Sequence, residues 1–162
     1  MTTMTRILFV TLFALALPAA SAAASADHEV ILGNYESARA ALAKDDASAV
    51  PPLAAKIAMA ASRALETREV REKEEIELIL AGSRRLEEAR GNLQASRAAF
   101  AALSRGVVAL LAARPELAEG RFHYSCPMVK GYGQWVQAKK EIENPYKGSA
   151  MLRCAVPVGA SR

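Results

Sequence analysis

The stretch LQASRAAFAALSRGVVALLAARP, residues 93–115, decides the fold. Leu93, Ser96, Phe100, Leu103, Val107, Leu110 and Leu111 recur at steps of three and four, the spacing of one helix face. The helix is predicted to stop at Arg114, because the residue before Pro115 disfavours the α region. Working back from it, Gly91-Asn92 marks a break. A third helix is predicted from about Thr67 to Arg90, with Val70, Ile76, Ile79, Leu80 and Leu86 as its apolar positions. Thr67 is its candidate N-cap. The charge run around it, from Glu72 to Glu88, reads as a solvated face. A second helix carries Leu53, Ile57, Ala60 and Ala64, with Pro51 and Pro52 in its first turn, where a missing N–H costs nothing. A first helix carries Ile31, Tyr35, Ala38 and Leu42, and Asp45-Asp46 with Ser48 break it and cap the next. Four amphipathic helices with short links predict a mainly α fold: a four-helix up-down bundle with a small C-terminal loop and strand appendage.

Before the bundle, residues 1–26 read as a signal peptide. Arg6 gives the positive start, Ile7–Leu17 an apolar run, and Ala24-Ser25-Ala26 a cleavage site, with Ala20-Ser21-Ala22 competing. The run is shorter than the roughly 20 residues a bilayer span needs. No later stretch reads as apolar enough to cross a bilayer. A periplasmic protein is expected, without membrane insertion after cleavage. The expected organisation is 1–26 signal peptide, 27–118 helical bundle, and 119–162 a Cys/Met-bearing segment packed on the bundle.

Beyond Gly120 aromatics, Gly and Pro concentrate. Alternation over residues 121–124 predicts a short strand and Met151–Val156 a second. One helical turn is predicted near Gln134–Lys140. The chain carries 21 basic and 17 acidic side chains, and its last forty residues are basic. The basic residues form no dense block, so nucleic acid is not an expected partner.

The chemistry-bearing residues lie in this segment. Cys126 and Met128 are two apart, Met151 and Cys154 three apart, and His123 is nearby. Thiolate and thioether sulfur select Cu(I) or Ag(I) over hard cations, and imidazole suits Cu and Zn alike. The alternative is a non-catalytic structural or interaction module with a Cys126–Cys154 disulfide, the usual fate of a cysteine pair outside the cytoplasm. On that reading Met128 and Met151 pack as apolar residues, His123 is structural, and Trp135, Tyr124 and Tyr146 form a small core. Both readings stand on spacing alone. No G-x-S-x-G and no H-E-x-x-H occurs, and no enzyme activity is expected.

Cys126-Pro127-Met128, Trp135, Ile142-Glu143-Asn144-Pro145-Tyr146, Gly148 and Met151-Leu152-Arg153-Cys154 together resemble the signature of an exported bacterial domain family of unknown function. Arg97, Phe100, Leu103 and Ser104 resemble its R-x-x-F-x-x-L-S helix, and Tyr35, Leu42 and Asp45 its first helix. Tyr124-Ser125-Cys126-Pro127-Met128 is also similar to a short heavy-metal-binding segment of transport proteins, with Val129 where a histidine is usual. Lys147 stands where the family has an aromatic, and Ala155 where it has glycine. The family also occurs joined to adaptor subunits of heavy-metal efflux systems. The resemblance therefore implies copper or silver handling, with a metal efflux adaptor as partner and Cys126, Met128, Met151, Cys154 and His123 as the ligand pool.

Overall fold

The structure, a computed structural model, describes residues 19–66 and 71–159. The apolar run of the expected leader, Thr67 and Val70 lie outside the described residues. The order is α1 (Ala19–Ala43), α2 (Val50–Glu66), α3 (Lys73–Glu88), α4 (Leu93–Ala113), a 3-10 turn (Pro115–Ala118), β1 (Phe122–Ser125), β2 (Gln134–Gln137), a second 3-10 turn (Gly148–Met151) and β3 (Val156–Pro157). The four helices pack against each other, and the three strands form a small sheet ordered β2-β1-β3, all antiparallel.

Local chemistry sets the boundaries. Asp45 takes a left-handed φ of 62° after α1. Asp45 N–H then donates to Leu42 C=O at 3.2 Å and Asp46 N–H to Ala41 C=O at 2.9 Å, which ends the helix in a Schellman motif. Asp46 accepts from Ser48 Oγ and Ala49 N–H just ahead of α2. Asn92 caps α4 by accepting from Ala95 N–H at 2.9 Å.

Phe100, Leu103, Val107 and Leu110 of α4 are fully buried. Contrary to expectation, α4 is long and apolar enough to cross a membrane by length and composition. Here that apolar stripe serves as the centre of the core, facing α3, β2 and α1. Gly82 and Gly106 let α3 and α4 touch backbone to backbone: a Cβ on Gly82 would lie 2.5 Å from Leu103 Cα, and one on Gly106 2.8 Å from Ile79 N.

Three expectations are corrected. Helix α3 starts at Lys73, because Glu72 is drawn inward to Arg114 (2.6 Å) and is buried instead of lining a solvated face. Gln134–Gln137 is a strand, not a helical turn, with Trp135, Val136 and Gln137 all buried. The second predicted strand keeps only its end: Gly148–Met151 forms the 3-10 turn and pairing begins at Val156.

Candidate functional site

The tail is fixed to the bundle from β2 outward. A chain of hydrogen bonds leaves this strand and returns to it: Val136 N–H donates to Tyr35 Oη (3.3 Å), Tyr35 O–H to Ser104 Oγ (2.7 Å), and Ser104 O–H to Gln134 C=O (2.9 Å). Tyr146 O–H donates to the same carbonyl at 2.7 Å. Tyr35 and Tyr146 flank Phe100 at ring separations of 5.2 and 5.7 Å, and Trp135 meets Tyr146 at 6.0 Å. Such aromatic pairs each add roughly 0.5–1.5 kcal/mol beyond their burial. Burial pushes the Tyr35 and Tyr146 hydroxyls well above the ordinary phenol range, so both remain donors.

Further along, Gln137 organises the loop before Asn144. Its Nε2 donates to Lys139 and Glu141 C=O, both at 2.6 Å, and its Oε1 accepts from Trp135 Nε1 at 2.9 Å. Arg39, buried in α1, grips this loop through Glu143 C=O (2.8 Å) and the Glu143 carboxylate (3.1 Å). Arg97 donates to Pro145 C=O, to Leu42 C=O and to Asp45. Gly148, at φ 55°, passes so near that a Cβ there would overlap the Asp45 carboxylate and the Arg97 guanidinium.

These anchors place the cysteines. Antiparallel pairing of Ser125 with Val156 sets Cys126 and Cys154 at the same end of the sheet. Cys126 N–H donates to Gly133 C=O at 3.0 Å. Asn144 Nδ2 holds Cys154 C=O at 2.7 Å. The two Sγ atoms lie 3.5 Å apart as free thiols, Cys126 buried and Cys154 half-buried. Sharing a hydrogen bond with Cys126, together with burial, pushes the Cys154 thiol up, while the Lys147 ammonium opposes this.

The other expected ligands are placed differently. His123 Nε2 is bonded to Gln134 Oε1 at 3.1 Å. Side chains alternate along a strand, so His123 faces away from buried Tyr124. Burial holds the His123 imidazole below its ordinary range. Met128 and Met151 are exposed, at 57% and 38%. Among the described residues no three of His, Cys, Asp and Glu come together as a metal-ligand group. The geometry therefore offers two converged thiols, with exposed thioethers one turn away in sequence from each.

Arg39 and Gln137 were not found by sequence reasoning. Arg39 sits in a helix as an ordinary charged residue, and its partner Glu143 is 104 positions away. No family model, no curated protein and no solved structure matches the chain.

Proposed function

We propose that Cys126 and Cys154 form a two-thiolate site for Cu(I) or Ag(I), and that the chain is a non-enzymatic periplasmic protein that buffers the ion or hands it to a heavy-metal efflux adaptor. The supporting observation is the 3.5 Å separation of the two sulfurs, Cys126 buried and Cys154 partly exposed. Two sulfurs on one ion with bonds of about 2.3 Å lie roughly 3.7 Å apart at the tetrahedral angle and about 4.0 Å apart at the trigonal angle, so the pair must open by about 0.2–0.5 Å to hold a four- or three-coordinate ion. Met128 or Met151 supplies the third, thioether ligand. The resemblance of the tail to the exported domain found on efflux adaptors points the same way. The helices are read as alternating up and down. In support, Asp27–Arg63 ties the first half of α1 to the end of α2, Glu72–Arg114 lies between the start of α3 and the end of α4, and Arg97–Asp45 joins the start of α4 to the end of α1.

The second reading is a Cys126–Cys154 disulfide, formed by an extracytoplasmic thiol oxidant, that staples the tail of an interaction module. The same sulfur approach favours it. Intact mass and thiol titration of periplasmic protein separate the two. The mildly reduced protein is then set in Cu(I) competition against a chromophoric chelator, with Cys126→Ser, Cys154→Ser, Met128→Leu and Met151→Leu. We expect either serine variant to lose binding by about a hundredfold or more, and one methionine variant to weaken it several-fold. A pair locked as a disulfide that excludes copper under mild reduction overturns the metal reading.

A further inference from the structure

We propose that a basic groove beside the thiol pair is an anion site, which receives Cu(I) or Ag(I) as a negatively charged complex and passes the ion to Cys154 and Cys126. This rests on the soft-metal reading of the pair. The groove encloses about 490 Å³, within the range of small-ligand sites. Arg97, Lys130 and Lys147 line it with Met128, Tyr132 and Tyr146, and no carboxylate does. Arg97 is engaged by Asp45. Among the described residues Lys130 and Lys147 are in no ion pair.

Two lining segments of the groove adjoin the cysteine segments along the chain. Met128 lies in the turn that begins at Cys126 and is closed by Val129 N–H to Cys126 C=O at 3.2 Å. Tyr146 and Lys147 follow Asn144, whose amide holds Cys154 C=O.

Soft monovalent ions outside the cytoplasm are carried by halide or soft sulfur anions, and such complexes bear net negative charge. A concave surface of one sign concentrates the opposite charge and speeds its arrival. A bare or ammine cation gains nothing from it. In the transfer the ion stays at the +1 state. Each thiol releases its proton to solvent and bonds the ion with a sulfur electron pair, and the carrier anions leave with their own donor pairs. Met128, exposed on the groove wall two residues from Cys126, offers the carrier's ion a thioether.

The test uses the reduced full-length protein and two silver carriers, the anionic thiosulfate complex and the cationic diammine complex. Stopped-flow absorbance of the silver–thiolate bond follows transfer across a salt series. We expect the Lys130→Gln/Lys147→Gln variant to slow transfer from thiosulfate about tenfold and to lose most of its salt dependence, with diammine transfer slowed far less and silver stoichiometry unchanged. Lys130→Gln alone, which does not bear on Cys154 protonation, shifts the rate in the same direction. Rates from thiosulfate indifferent to both lysines overturn the proposal. A titration with thiosulfate alone, read by amide shifts at Lys130, Tyr132 and Lys147, keeps the two readings apart. Shifts confined to the groove support an anion site even if silver never reaches the thiols, which would sink the metal reading instead. No shifts overturn the anion site whatever silver does.

Discussion

Asn144 is fully buried, and its side chain is engaged at both ends. Its Oδ1 accepts from Tyr146 and Lys147 N–H, its Nδ2 donates to Cys154 C=O, and its own N–H reaches Leu152 C=O. Asn144→Asp would set a carboxylate oxygen against the Cys154 carbonyl. We expect a loss of about 2–4 kcal/mol and faster reaction of Cys154 with a thiol reagent under native conditions. A folded variant with an unchanged thiol rate would show that the loop holds without this amide. Asp45 carries a different load. Its left-handed backbone closes α1 while its carboxylate takes Arg97 and Ser149. Those partners hold its carboxyl below the usual range. A depressed carboxyl stabilises the fold above its unfolded pKa of about 3.9 and loses that contribution as pH falls further. Trp135 emission should report loosening of the tail as pH drops below about 4, and Asp45→Asn should flatten that acid limb while costing about 1 kcal/mol at neutral pH.

At the scale of elements, α4 was legible because its whole signal is local: apolar spacing, Asn92 ahead of it and Arg114-Pro115 behind. Strand β2 was not. What makes Gln134–Gln137 a strand is its pairing with β1 and its reach to Ser104 and Tyr35, 30 and 101 positions away, and no local pattern encodes that. The start of α3 failed for the same reason, since Glu72 answers to Arg114. Of the candidate site, the meeting of the two cysteines was legible from the strand-like segments around them. The placement of His123 was not, because it depends on Gln134. Two predictions belong here. Tyr35→Phe leaves Val136 N–H without its acceptor and removes the donor to Ser104 Oγ, and should cost about 1–3 kcal/mol in urea unfolding. Gly82→Ala and Gly106→Ala each gain up to about 1 kcal/mol of helix propensity, but the Cβ meets backbone that has no room to yield. Overpacking of about 1–3 kcal/mol or more should therefore win; a stabilised alanine variant would show that α3 and α4 separate readily.

For the whole molecule, the two ends of the helical body respond to pH differently. At one end His28 is buried beside Glu72, Arg114, Asp27 and Glu116, and burial keeps its imidazole below its ordinary range. The unfolded chain then binds this proton more readily than the folded one, so stability falls as pH drops through about 6.5 and below. Thermal midpoints should decline between about pH 7.5 and 5.5, and His28→Gln should flatten the decline. At the other end the thiols behave oppositely. Cys154 holds its proton past the ordinary thiol range, so if the proposed Cu(I) site exists its uptake should strengthen as pH rises and release protons on binding.

The loop of hydroxyls from Val136 through Tyr35 and Ser104 to Gln134 has a further consequence for how copies of this chain behave when crowded. An outermost strand normally offers its free amides and carbonyls to any extended segment that drifts past, the usual start of ordered clumping. Here helix side chains already occupy β2, and β3 on the opposite margin is two residues long and ends in Pro157, which has no amide hydrogen to give. A foreign segment can add along β2 only after Tyr35, Ser104 and Tyr146 have let go.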